Sequence, residues 1–128
     1  MTTTIRLTQN IQVGNNPALA RPQTFDCASY VVIDGETVAD AVANQQHPFG
    51  VDITAMKIFF MTSDYALSVY TNDASTGSPQ ESFTLTADKP VIWRTGDTAI
   101  FAGDLTDLYL TNASGSTATF YAIAGMDV

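Results

Sequence analysis

Histidine, acidic and hydroxyl side chains are the groups that could do chemistry in this chain, and their spacing limits what that chemistry could be. His47 is the one histidine among 128 residues. A Ser-His-Asp relay would have to use it, with Asp52 close behind, yet no G-x-S-x-G elbow presents a nucleophile. Its neighbours, Gln45, Gln46 and Pro48-Phe49-Gly50, read as a linker entering a strand, so a surface or hydrogen-bonded loop histidine is expected. The carboxylates Asp64, Asp73, Glu81, Asp97, Asp104 and Asp107 offer pairs of the kind glycosidases use. Most of them sit in turn contexts, where a carboxylate bonds local backbone amides. Asp97, Asp104 and Asp107 flank one β connection and supply oxygens of the type Ca2+ accepts, without the loop or repeat that builds a calcium cage. No glycine-rich phosphate cradle is present. The residue types therefore predict no catalytic group, no metal ligand and no cofactor.

Cys27 is alone, which excludes an intrachain disulfide and a cysteine zinc site and leaves a small buried hydrophobe. The formal net charge is −8, and the five basic residues Arg6, Arg21, Lys57, Lys89 and Arg94 are scattered along the chain. No cluster matches a row of phosphates or an anionic lipid surface, so neither nucleic acid nor membrane is an expected partner. The stretch MTTTIRLTQN has no basic start followed by an apolar core, and no apolar run approaches the ~20 residues of a membrane-crossing helix. Asn112-Ala113-Ser114 matches a glycan-acceptor triplet that is expected to go unused without a secretory route. Tyr65, Tyr70, Trp93, Tyr109 and Tyr121 could make a sugar-stacking platform, although cross-strand packing with the polar tip outward is the commoner use.

The elements that would position these groups are strands. With 45% hydrophobic and 14% charged residues the chain has the makings of one core, and its abundant threonines suit a pleated surface. In Thr3–Val13, Ile5, Leu7, Ile11 and Val13 alternate with Arg6, Thr8, Asn10 and Gln12, a half-buried strand with Gln9 as its one defect. Gly14–Asp26 carries glycine, asparagines and prolines and reads as a long ordered loop, the first candidate for a contact with a partner. Ala28–Ile33 reads as a buried strand, and Val38, Ala41 and Val42 within Glu36–Asn44 fall at the spacing of one short helix.

Met56–Met61 is apolar enough to be covered on both faces. Three hairpins are expected after it. Tyr65–Thr71 with Glu81–Thr86 sets Thr71 against Glu81, Val69 against Phe83 and Leu67 against Leu85. Lys89–Arg94 with Thr98–Phe101 sets Ile92 against Ile100 and Val91 against Phe101. Leu105–Thr111 with Thr117–Ala124 sets Leu108 against Phe120 and Asp107 against Tyr121. Together these predict an all-β fold, an antiparallel jelly-roll-like sandwich of roughly eight strands with one short helix near 36–44. Val69, Phe83, Leu108 and Phe120 lead its core. The first strand is expected to find a distant partner. Residues 1–27 form an arm and loop for contact, and 28–128 the sandwich. Tyr70, Tyr109 and Tyr121 are expected to point away from the core.

The stretches VDITAMKIFFMTSD, YALSVYTN, ESFTLTADKPVIW and TAIFAGDLTDLYLTNASGSTATFYAIAGMD follow one another in an order that resembles small capsid decoration (cement) proteins of tailed bacteriophages. The resemblance covers about the last 75 residues and carries no catalytic signature. It implies a non-enzymatic virion protein on the capsid surface, assembled in the host cytoplasm. Its expected partners are the major capsid protein and further copies of itself, as a dimer or trimer. Thr4, Arg6, Asn10, Pro17, Arg21, Tyr70, Tyr109 and Tyr121 are the expected contact residues. A tail, fibre or baseplate module, and a carbohydrate- or calcium-binding sandwich, are the other readings.

Overall fold

In the computed structural model, residues 2–11, 19–72 and 81–127 are described, with side chains for all of these except 9–11 and 19–22. Among them the chain forms ten strands and no helix: β1 (Thr3–Ile11), β2 (Leu19–Cys27), β3 (Ser29–Val38), β4 (Gln45–Val51), β5 (Met56–Ser63), β6 (Leu67–Thr71), β7 (Ser82–Leu85), β8 (Val91–Arg94), β9 (Leu105–Thr111) and β10 (Ala118–Met126).

Strands β3 to β10 are a single antiparallel ribbon folded on itself. β3 pairs with β10, β4 with β9, β5 with β8, and β6 with β7 at the ribbon's tip. Rolling the ribbon sets β10 beside β5 and β9 beside β6. The result is two four-stranded sheets, β3-β10-β5-β8 and β4-β9-β6-β7, packed as a sandwich in the strand order of a jelly roll. Alternation sends Phe59, Met61, Phe120, Ala122 and Ala124 of the first sheet inward against Phe49, Leu67, Val69, Leu108 and Leu110 of the second. The alanines of β10 leave room for aromatic rings. Phe59 meets Phe49 and Phe101 edge-on, at centroid distances of 6.1 and 5.2 Å.

Several sequence expectations are corrected. β9 and β10 do not pair, because the loop after Thr111 carries the chain from one sheet to the other. Leu108 and Phe120 both face the core, from opposite sheets. Thr98–Phe101 is not a strand. β8 pairs with β5 instead, while Phe101 inserts its ring into the core and the Trp93 indole donates to the Thr98 carbonyl. No helix forms over Glu36–Asn44. The end of β3 takes Glu36–Val38, and a turn with Ala41 and Asn44 at positive φ follows. Nine residues are marginal for a helix, and here the backbone finds better partners: Ala41 N–H donates to the Asn112 carbonyl and Asn112 N–H to that of Val42. The second half of the expected loop Gly14–Asp26 is β2. Its partner is β1, so the first strand pairs with its neighbour in the chain. The β6–β7 register is the expected one, with Leu67 opposite Leu85 and Val69 opposite Phe83. Of the four core leaders, Val69, Leu108 and Phe120 are buried and Phe83 is half-buried.

The β1–β2 hairpin is a third, separate sheet. Its base lies on the outer face of the first sheet at Gly125. A Cβ there would come within 2.5 Å of the Cys27 sulfur and 2.6 Å of Ile5 Cδ1, so only glycine lets the hairpin settle this close. From Gly125 on β10 the hairpin passes β5, where Lys57 Nζ donates to the Asp26 carbonyl at 2.8 Å. It then reaches β8, where Arg94 donates to Gln23 Oε1 at 2.8 Å. The four pairs from Thr8–Pro22 to Ile11–Leu19 follow in the hairpin after this contact.

Candidate interaction surfaces

Most of the groups that could do chemistry, among the described residues, are held by backbone amides or lie against the core. His47 lies on β4 with its ring edge-on to Phe120, at a centroid distance of 4.9 Å. The Gln45 side-chain nitrogen approaches His47 Nε2 at 2.8 Å and also donates to the Thr37 carbonyl, so the amide donates to an unprotonated ring nitrogen. Burial holds the imidazole below its ordinary value, and the Glu36 charge opposes this more weakly. Asp52 accepts from the Thr54 hydroxyl and amide, which lower its pKa.

These shifts carry a pH prediction. With His47 depressed in the folded state, the unfolded chain binds the extra proton more readily. The contribution of His47 is therefore complete above the ordinary value of 6.5 and is lost as pH falls through and below it. Melting between about pH 8 and about pH 5 should show a stability loss that His47→Phe removes. A wild-type slope that survives this substitution would refute the assignment. The Asp52 contribution is lost only below its ordinary value of 3.8, outside that window.

Four of the carboxylates cap backbone amides and a fifth accepts from a side chain. Asp64 accepts from Thr119, Glu81 from Ala102, Asp97 from Arg94, Asp104 from Ile53, and Asp107 from the Gln46 side chain. Asp73 lies outside the described residues. Among the described residues no three His, Cys, Asp or Glu side chains converge as a metal cage, so Asp97, Asp104 and Asp107 do not form the cluster considered from sequence. Asn112, the glycan-acceptor candidate, is buried. Its Nδ2 donates to the Val38 and Ser116 carbonyls at 2.8 Å each, and its Oδ1 accepts from Ser114.

The two sheets present unlike outer faces. On the second sheet, Gln46, Tyr109, Tyr70 and Ser82 form one cross-strand row, with Thr111, Ser68 and Thr84 beside it. Tyr70 and Tyr109 are thus direct neighbours, half-buried among hydroxyls and an amide. On the first sheet the corresponding row is Val32, Ile123, Phe60 and Ile92, wholly apolar and spanning all four strands. Val32 is 50% exposed and Tyr30, one row over, 51%. Tyr121 is exposed on this same face, which separates it from Tyr109; the shared Tyr109–Tyr121 face expected from sequence does not exist. A shallow depression of about 300 Å3 beside Tyr121 is lined by Asp64 and Asp88.

On the arm, Thr4, Arg6 and Thr8 point to solvent on the side away from the sheet, and Thr4 donates to Asp26 at 2.7 Å. Asn10 and Arg21 occupy positions in β1 and β2, and Pro17 lies outside the described residues. Sequence reading missed the apolar row. MKIFFM reads as covered on both faces and ASYVVI as buried, whereas Phe60 is half-buried and Val32 is exposed.

The molecule belongs to the antiparallel β-sandwiches, with a hairpin arm laid across one outer face. No family model, curated protein or solved structure matches the chain.

Proposed function

We propose that the protein is a non-enzymatic structural subunit of a virus particle, a capsid decoration (cement) protein that binds across neighbouring major capsid proteins and stabilises the shell. The observation that carries this reading is the arm: a hairpin of two nine-residue strands seated on the outer face of the sandwich and reaching its edge strand. A subunit that must bridge two neighbours needs a stiff body and a contact element displayed on its outside. The solvent side of the arm offers Thr4, Arg6 and Thr8, short donors and one guanidinium suited to a polar protein rim. Repetition over a shell turns modest single contacts into firm attachment. Such a subunit would reside on the virion surface after assembly in a host cytoplasm, self-associated as a dimer or trimer.

Co-sedimentation with purified shells tests the reading. Thr4→Ala combined with Arg6→Glu is expected to weaken binding about tenfold or more, ~1.4 kcal/mol, with melting almost unchanged because both side chains are exposed. Unchanged shell binding by this variant would remove the arm from the contact. Co-purification with tails in place of shells would favour a tail, fibre or baseplate module. One observation favours a second reading: the adjacent Tyr70 and Tyr109 with flanking Gln46 and Ser82 have the makings of a sugar platform. Glycan-array binding lost in Tyr70→Ala would establish it.

A further inference from the structure

We propose that two copies of the chain join edge to edge through β3, antiparallel about a two-fold axis at Val32, so that their first sheets run on as one sheet of eight strands. This gives the self-association named above a place on the molecule. Its test uses purified protein without shells, so either reading can fail while the other stands.

The backbone of β3 carries the argument. The Asp64 N–H donates to the Thr119 carbonyl, which makes Thr119 and Asp64 a hydrogen-bonded pair. In the β10–β5 register the odd-numbered residues of β10 therefore bond β5, and the even-numbered ones bond β3. Val31 and Ile33 stand opposite Ala124 and Ala122 and turn their backbone groups toward β10. Tyr30, Val32 and Asp34 turn theirs the other way, off the edge of the sheet. Farther along, a bulge skips Gly35, and the Gln45 amide takes the Thr37 carbonyl. The stretch open to pairing is thus residues 30–34, where the outward N–H and C=O groups of Tyr30, Val32 and Asp34 meet no partner among the described residues.

The other edges of the sandwich are blunted. β4 carries Pro48, which has no N–H, and its register with β9 breaks between Pro48 and Val51. On β8 the Asp97 carboxylate and amide take the Arg94 N–H and carbonyl. β7 is four residues long. These are the devices by which sheets avoid pairing with other chains, and residues 30–34 have none of them. The β1–β2 hairpin leaves this edge clear, since it departs over Gly125, Lys57 and Arg94 toward β8.

A second copy is the occupant these residues fit. With Val32 on the axis, Tyr30 stands opposite the partner's Asp34, and Val32 opposite the partner's Val32, so every outward group of both stretches is used. On the outer face the phenol of Tyr30 lies beside the carboxylate of the partner's Asp34. On the inner face the partly buried Val31 lies beside the partner's Ile33. Val32 and Tyr30 are 50% and 51% exposed, and the joint gives each a neighbour on its open side. The apolar row Val32–Ile123–Phe60–Ile92 continues through the axis into its own copy. A chain of net charge −8 thus meets itself along a stretch with one carboxylate, and that carboxylate faces a hydroxyl.

Sedimentation equilibrium on the full chain tests the proposal. The joint is small, so the wild type is expected to pass from the 13.7 kDa chain mass to twice that as concentration rises through about 10 µM. Residue 32 meets itself, so Val32→Lys and Val32→Glu each place like charges across the axis. Each is expected to weaken the dimer about tenfold or more, with melting almost unchanged. Mixing the two variants should restore a dimer, now of unlike chains. Ile100→Arg, exposed elsewhere, should leave the wild-type behaviour intact. Should a Val32 variant fail to fold, Tyr30→Glu sets a carboxylate against the partner's Asp34 and gives the same reading. Wild-type protein that stays monomeric at about 500 µM would overturn the proposal. So would a dimer unweakened in the folded variants, or a mixture of the two Val32 variants that stays monomeric.

Discussion

Phe59→Ala is expected to destabilise the protein by about 3–5 kcal/mol and to lower its melting temperature by roughly 10–20 °C. Phe59 is fully buried on β5 and touches one aromatic ring from the opposite sheet, Phe49 on β4, and one from the connection before β9, Phe101. Phe101 in turn packs near Phe83 of β7, at 6.4 Å. One ring therefore ties both sheets and the longest described loop of the sandwich together. Removing it opens a cavity in the middle of a jelly roll, where the surrounding strands are fixed by hydrogen bonding on both sides and can collapse little. Domains of this size have about 5–15 kcal/mol in total, so the variant would lose a large share of its stability. Urea unfolding measures the change. A loss below about 1 kcal/mol would mean that the sheets are held together elsewhere.

Asn112→Asp should be nearly as damaging, with a diagnostic pH dependence. Asn112 closes the passage from β9 to β10: its Nδ2 serves two carbonyls, and its own backbone bonds both ways to the turn after β3. A carboxylate cannot donate to Val38 and Ser116, and it would face two carbonyl dipoles in a buried site. At about 1–3 kcal/mol for each buried group left without its partner, the loss at neutral pH is roughly 2–5 kcal/mol. The new carboxyl would have a raised pKa in the folded state. The folded form then holds more protons than the unfolded one, and the variant regains part of its stability as pH falls through that raised value. The wild type, with His47 and Asp52 both depressed, goes the opposite way. Equal pH slopes for the two proteins would refute this account of Asn112.

Strand identity was legible in the sequence because alternation records which side chains face a core. It names no partner. Val69–Phe83 and Leu67–Leu85 were readable since β6–β7 is the ribbon's tip, where sequence neighbours are also space neighbours. Leu108 and Phe120 satisfied the same pattern and were assigned to one hairpin, yet they meet across the core from different sheets. In a rolled ribbon, consecutive strands such as β9 and β10 belong to the same half, so local pairing fails everywhere but the tip. The outward aim of Tyr70 and Tyr109 followed from alternation alone. The apolar row did not, since Ile58 and Phe60 point the same way and differ only in that a hairpin from residues 1–27 covers one of them.

The place of β10 between β3 and β5 also sets a timetable. Both flanking strands are synthesised long before it, and neither has its principal partner until residues 118–126 have left the ribosome. Through most of translation Ile33, Phe59 and Met61 belong to strands without a sheet between them. The nascent chain must therefore be kept from pairing with other chains until its tenth strand inserts between two that have been waiting. Slowing elongation before Ala118 is therefore expected to prolong the exposure and increase aggregation.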